Sequence, residues 1–154
     1  MNILTTTKET TLLFQNDFIK ITFEKKISLL SVEWRRQITF AERVIGYENA
    51  FKFMKELKVE AFLVNNEKLF IFSTLEKDWL AEVLQKWVTE TNIKKFALIT
   101  SDMYKNMTDL ADYIRAMKNT SIMLKQIEHE FFIDVETARL WLCPNEETLI
   151  ELSA

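Results

Sequence analysis

AFLVNNEKLFIFSTLEKDWLAEVLQKWVTETNIKKFALIT, residues 61–100, decides the fold. It opens on Ala61-Phe62-Leu63-Val64, an apolar run of buried-strand length that Asn65-Asn66 ends. Ser73-Thr74-Leu75-Glu76 then has the pattern of a capping box, in which a hydroxyl and a carboxylate satisfy the free amides of a helix start. Leu75, Trp79, Leu80, Val83, Leu84, Trp87 and Val88 recur at helical spacing and form one apolar face. Lys95-Phe96-Ala97-Leu98-Ile99-Thr100 reads as a second buried strand. Two strands joined through a helix lie parallel, and the crossover is right-handed.

The same unit extends in both directions. Upstream, Thr39-Phe40-Ala41-Glu42 is another capping-box pattern. Phe40, Val44, Tyr47, Phe51 and Met54 follow as a helical stripe, and Lys58 marks its polar end. Gly46 falls inside this helix, where it costs about 1 kcal/mol relative to Ala; close packing against the sheet is a sufficient reason for it. Before the helix, Ile19, Ile21 and Phe23 alternate with Lys20, Thr22 and Glu24, the period of a half-buried strand. Leu12-Leu13-Phe14 precedes them across the turn Gln15-Asn16-Asp17, and residues 27–34 follow across Glu24-Lys25-Lys26. Short links make these neighbours antiparallel.

Downstream, Ser101-Asp102 caps a helix carrying Met103, Met107, Leu110, Ile114 and Met117. Ile122-Met123-Leu124 begins a strand expected over residues 121–126. Asp134 caps a short last helix with Val135, Ala138, Trp141 and Leu142, which Pro144 ends. The expected fold is α/β: a mixed sheet, antiparallel at its N-terminal part and parallel beyond, flanked by about four helices on both faces. Residues 11–143 read as one domain, with loose tails at 1–10 and 144–154.

Composition narrows the function. The chain has 154 residues with a net charge of −3, so it lacks the basic footprint of a nucleic-acid binder. Gly46 is the only glycine, and phosphate-cradling loops need several; nucleotide binding by the usual glycine-rich routes is excluded. Cys143 is the only cysteine, so no intramolecular disulfide can form. His129, the only histidine, sits between Glu128 and Glu130, which is not a metal motif and reads as a surface residue. No stretch reaches the roughly 20 apolar residues of a membrane span, and the N-terminus lacks a signal-peptide pattern. These readings give a cytoplasmic protein with no cofactor and no metal.

The order of elements resembles the STAS superfamily, the SpoIIAA-like anti-sigma-factor antagonists, and within it a bacterial group of small stand-alone proteins. Asn16-Asp17-Phe18-Ile19-Lys20-Ile21 opens the sheet, and Val32-Glu33-Trp34 precedes a polar turn and a capped helix. Phe62-Leu63-Val64-Asn65-Asn66 leads through an apolar loop to Ser73 and the Trp79-Leu80 helix, and Lys94-Lys95-Phe96-Ala97-Leu98-Ile99 follows. The resemblance covers about residues 11–143. It implies a non-enzymatic regulatory or protein-interaction module with a protein partner or a homodimer. It also implies a regulatory serine where a loop meets the second helix, for which Ser73 is the positional match. Where those domains carry an Asp-Ser-Ser-Gly type sequence, this chain reads Phe72-Ser73-Thr74-Leu75. The broad architecture is also similar to lipid-transfer domains of the CRAL–TRIO type, which implies a small apolar ligand as the alternative.

The candidate site is the loop into the second helix. Lys68-Leu69-Phe70-Ile71-Phe72 follows the carboxyl end of a parallel strand, the ligand edge of open α/β sheets. Four consecutive apolar residues of an extended loop cannot all face inward, so Phe70 and Phe72 are candidate anchors, or the run is an extra strand or folds onto the core. Ser73 and Thr74 stand at a helix start, where amides and the helix dipole favour an anion, or where Ser73 acts only as a cap.

Overall fold

The computed structural model describes residues 9–71, 73–100 and 127–144. Six strands form one sheet: β1 Thr10–Gln15, β2 Ile19–Glu24, β3 Leu29–Trp34, β4 Ala61–Asn65, β5 Lys95–Ile99 and β6 Glu128–Phe132. Three α-helices accompany them among the described residues: α1 Phe40–Glu56, α2 Thr74–Glu90 and α3 Val135–Leu142. The strand order across the sheet is β1-β2-β3-β4-β5-β6, the order of the chain. β1, β2 and β3 pair antiparallel, and β3, β4, β5 and β6 pair parallel. The expected α/β class and mixed sheet are those observed.

Local chemistry fixes the turns. Asn16 folds its side chain back, and its Oδ1 accepts hydrogen bonds from the amides of Phe18 and Ile19 at 2.9 and 3.0 Å, reversing the chain into β2. A single 3-10 turn, Lys25–Ile27, links β2 to β3 and ends on Ser28 in the left-handed region at φ 50°. The Ser28 carbonyl then accepts from the amides of Glu60 and Ala61, setting β4 in register beside β3.

Right-handed crossovers between adjacent, sequentially placed strands put their helices on one face. Accordingly α1 and α2 lie side by side over a core built from Ile19, Ile21, Val32, Trp34, Phe62 and Phe96. On the other face α3 covers a smaller core of Leu29, Leu63, Ala97 and Ile99 with its own Ala138 and Leu142. Gly46 lets α1 touch the sheet. A Cβ there would stand 2.5 Å from Trp34 Cη2 and 2.7 Å from Ile19 Cδ1, closer than packed atoms approach.

Several details differ from the sequence reading. The buried stripe of α1 is Arg43, Gly46, Tyr47, Ala50 and Met54, with Val44 and Phe51 only half-buried. The strand on the free edge of β5 is Glu128–Phe132; the strand expected over 121–126 and the helix expected from Ser101 lie outside the described residues. Thr10 pairs with Glu24 in β1, and most of the two expected tails lies outside the described residues. The His129 ring is half-buried, packed 5.2 Å from Phe96 and edge-on to Phe131 at 4.9 Å, because β6 turns its second and fourth residues toward the main core.

Candidate functional site

The carboxyl edge of the parallel strands carries the loop between β4 and α2. Its path is fixed by backbone bonds. The Asn66 amide donates to the Ile99 carbonyl at 2.8 Å, and the Leu69 amide donates to the Asn66 carbonyl at 3.0 Å. Leu69 drops into the core at 1% exposure. Gln37, in the link between β3 and α1, then takes the amides of both Phe70 and Ile71 on its Oε1 at 2.6 and 3.3 Å. With the backbone held by Gln37, the side chains of Phe70 and Ile71 stand in solvent at 58% and 64% exposure. Leu75, in the first turn of α2, is 64% exposed as well. The apolar run thus splits: Leu69 points in, Phe70 and Ile71 point out. Phe72 lies outside the described residues.

Ser73 is the N-cap of α2, and its Oγ accepts the Glu76 amide at 3.1 Å. Ser73 and Thr74 are both exposed beside the apolar patch. At the start of α1 the capping box is complete, with the Glu42 carboxylate returning to the Thr39 amide at 2.9 Å. At α2 the equivalent carboxylate goes elsewhere. Glu76 accepts from the Ser73 hydroxyl at 3.2 Å and from Arg43 Nε, an arginine buried completely between α1 and α2. The guanidinium lies 5.8 Å from the centre of the Trp34 ring. Burial pushes the neighbouring Tyr47 hydroxyl above its ordinary pKa, and the nearby Arg43 charge opposes that shift. The exposed loop therefore rests on a charged pair in the interior.

Sequence reasoning missed Arg43. The available signal was its register: Arg43, Tyr47, Ala50 and Met54 follow at spacings of four, three and four, so the arginine shares their face.

A second feature was also missed. Phe51 of α1 and Trp79 and Val83 of α2, all half-buried, border an open, shallow cleft of about 160 Å³, with Tyr47 and Trp87 packed beneath it at 1% exposure each. Tyr47 lies 5.8 Å from Trp79 and 5.3 Å from Trp87, ring centre to ring centre. Glu48 and Lys86, each next in sequence to one of these rings, complete the lining. The two tryptophans read as plain core from helical spacing alone, which hides the groove that Trp79 borders at half burial.

The arginine pair Arg35-Arg36 makes local ties. Arg36 bridges Asp17 at 3.0 Å and Glu42 at 2.7 Å, and it holds the Glu42 carboxyl down at a pKa of about 2. Cys143 is half-buried against the smaller core. Among the described residues no three His, Cys, Asp or Glu side chains group to hold a metal ion, and no helix is long and apolar enough to cross a membrane.

No protein-family model, curated protein or solved structure matches this chain. The class that can be stated is an α/β domain with a six-stranded mixed sheet.

Proposed function

We propose that this domain is a non-enzymatic, STAS-like regulatory module of the cytoplasm that captures a protein partner, or a second copy of itself, through the loop before α2. The observation that carries the reading is the exposure of Phe70, Ile71 and Leu75 on a backbone that Gln37 already holds. A preordered apolar loop loses little conformational freedom on binding, and aromatic anchors dominate many interfaces. Ser73 and Thr74 border this patch, so phosphorylation of Ser73 would place a dianion beside it at a helix start. The test is Phe70→Ser, compared with the parent by thermal melting and by sedimentation across a concentration series. The expected result is an unchanged melting temperature with association weakened by about 2 kcal/mol, roughly 30-fold. Loss of folding, or unchanged association, would count against the loop.

A second reading, a binder of a small apolar ligand, is favoured by the aromatic cleft between α1 and α2. Its volume of about 160 Å³ is small for a lipid.

A further inference from the structure

We infer that the outer edge of β1 is a self-association surface: two copies of this chain pair their β1 strands antiparallel about a two-fold axis and join their sheets into one. The surface is separate from the loop before α2, since β1 stands three strands away from β4, which leads into that loop. Among the described residues the sheet ends at β1 on one side and at β6 on the other. A strand that ends a sheet turns a row of amides and carbonyls outward, where another strand can pair with them, and folded proteins guard such edges with charge, proline or cover. The two edges differ in that respect. β6 reads Glu-His-Glu-Phe-Phe, with Glu128 and Glu130 both exposed, so two copies set together along it would bring acids against acids. β1 reads Thr-Thr-Leu-Leu-Phe-Gln, with no charge and no proline over six residues, about 20 Å of chain.

The side chains of this edge are apolar as well. Leu12, opposite Thr22 of β2, is 54% exposed. The register slips between Leu12 and Phe14, and Leu13 and Phe14 both lie half-buried against the main core, as do Phe23 of β2 and Phe53 of α1. The strand that completes such an edge is itself neutral, extended and apolar at its centre. This chain supplies one strand of that description with an edge to offer, and it is β1. A two-fold axis makes the contact isologous, so one patch serves both partners and the assembly closes as a dimer. Pairing β1 along its whole length sets Leu12 beside the partner's Leu13 next to the axis. No charge of one strand then meets a like charge of the other, and Leu12 leaves water.

Amide hydrogen exchange and sedimentation of the full-length protein, each over a concentration series, test the pairing. The expected result is a dimer with a Kd below about 100 µM, and exchange at Thr11 to Gln15 that slows as the dimer fills while exchange at Glu128 to Phe132 does not. Leu12→Lys adds the charge that guards natural edges, at a position exposed enough to spare the monomer's melting temperature. It weakens the dimer about 10-fold or more, and added salt restores part of the loss. Leu12→Glu weakens it as well, and an equimolar mixture of the Lys and Glu variants associates more tightly than either alone, the signature of position 12 facing its own copy across an axis. Phe70→Ser separates the two surfaces: it leaves the protection of β1 intact even where it weakens association through the loop. A protein that stays monomeric up to about 500 µM overturns the inference, as does a dimer indifferent to Leu12→Lys, or one whose β1 protection is lost in Phe70→Ser.

Discussion

Arg43 and Glu76, 33 positions apart in the chain, meet as an ion pair between α1 and α2, with side chains 0% and 8% exposed. Removing one member of such a pair strands the other charge away from water, whereas replacing both by apolar groups of similar volume is often neutral. Arg43→Met is expected to cost about 3 kcal/mol or more in urea denaturation. The double variant Arg43→Met with Glu76→Met should recover most of that loss. Additive single effects would mean that the pair is not coupled.

Gly46→Ala is expected to destabilise the protein, against helix propensity, which alone would favour Ala by about 1 kcal/mol. The added methyl meets Trp34 Cη2 at 2.5 Å and Ile19 Cδ1 at 2.7 Å, and overpacking of this kind costs roughly 1–3 kcal/mol. The same substitution made with Trp34→Phe and Ile19→Val, which remove both atoms, should lose much of its penalty. Thermal unfolding of the two backgrounds makes the comparison.

Lys58→Gly should stabilise. Lys58 sits just past α1 at φ 50°, and the Val59 amide reaches back to the Met54 carbonyl at 3.1 Å, the Schellman closure that glycine favours. A side chain in this region costs about 1–2 kcal/mol, part of which glycine returns to the unfolded chain as entropy. A net gain of about 0.5–1 kcal/mol is expected by chemical denaturation.

The Arg36–Glu42 contact gives an acid dependence with a defined sign. Arg36 and the Thr39 amide lower the Glu42 pKa from 4.5 to about 2. A depressed carboxyl contributes stability above its unfolded pKa and loses it as pH falls through the folded one. The contribution is thus full above about pH 4.5 and fades toward pH 2. Arg36→Gln should raise the Glu42 pKa, read by carbon-detected NMR titration, and should flatten the fall in melting temperature across that interval. An unmoved titration would assign the shift to the capping box alone.

Gln37→Ala is expected to free the loop while sparing the core. The amides of Phe70 and Ile71 lose their shared acceptor, and their hydrogen exchange should accelerate while that of Phe62 and Phe96 does not. Uniform acceleration across the sheet would show Gln37 to be structural for the whole domain.

Much of the fold was readable because the decisive signals are local. The apolar runs at 61–64 and 95–99 give the parallel pair, and Thr39, Ser73 and Asp134 each cap the helix the sequence assigned to them. The loop was legible for a related reason: four apolar residues in a row between Lys68 and Ser73 conflict with a purely buried or a purely solvated path. What escaped depends on partners far along the chain. Arg43 reads as an ordinary surface cation until Glu76 arrives opposite it. Glu128 and Glu130 disguise β6, because the alternation that buries His129 and Phe131 resembles a charged turn. The α1–α2 cleft exists only through the spacing of two helices, which no stretch of one helix encodes.

The strand order of the sheet bears on how the chain is made. Every described strand lies beside its immediate predecessor, so none must be threaded between two that are already in place. As synthesis proceeds, β1 to β3 can zip by short-range closure, and each later crossover meets a waiting edge rather than an occupied gap. Such an order permits vectorial assembly, a growth by accretion in the direction of synthesis.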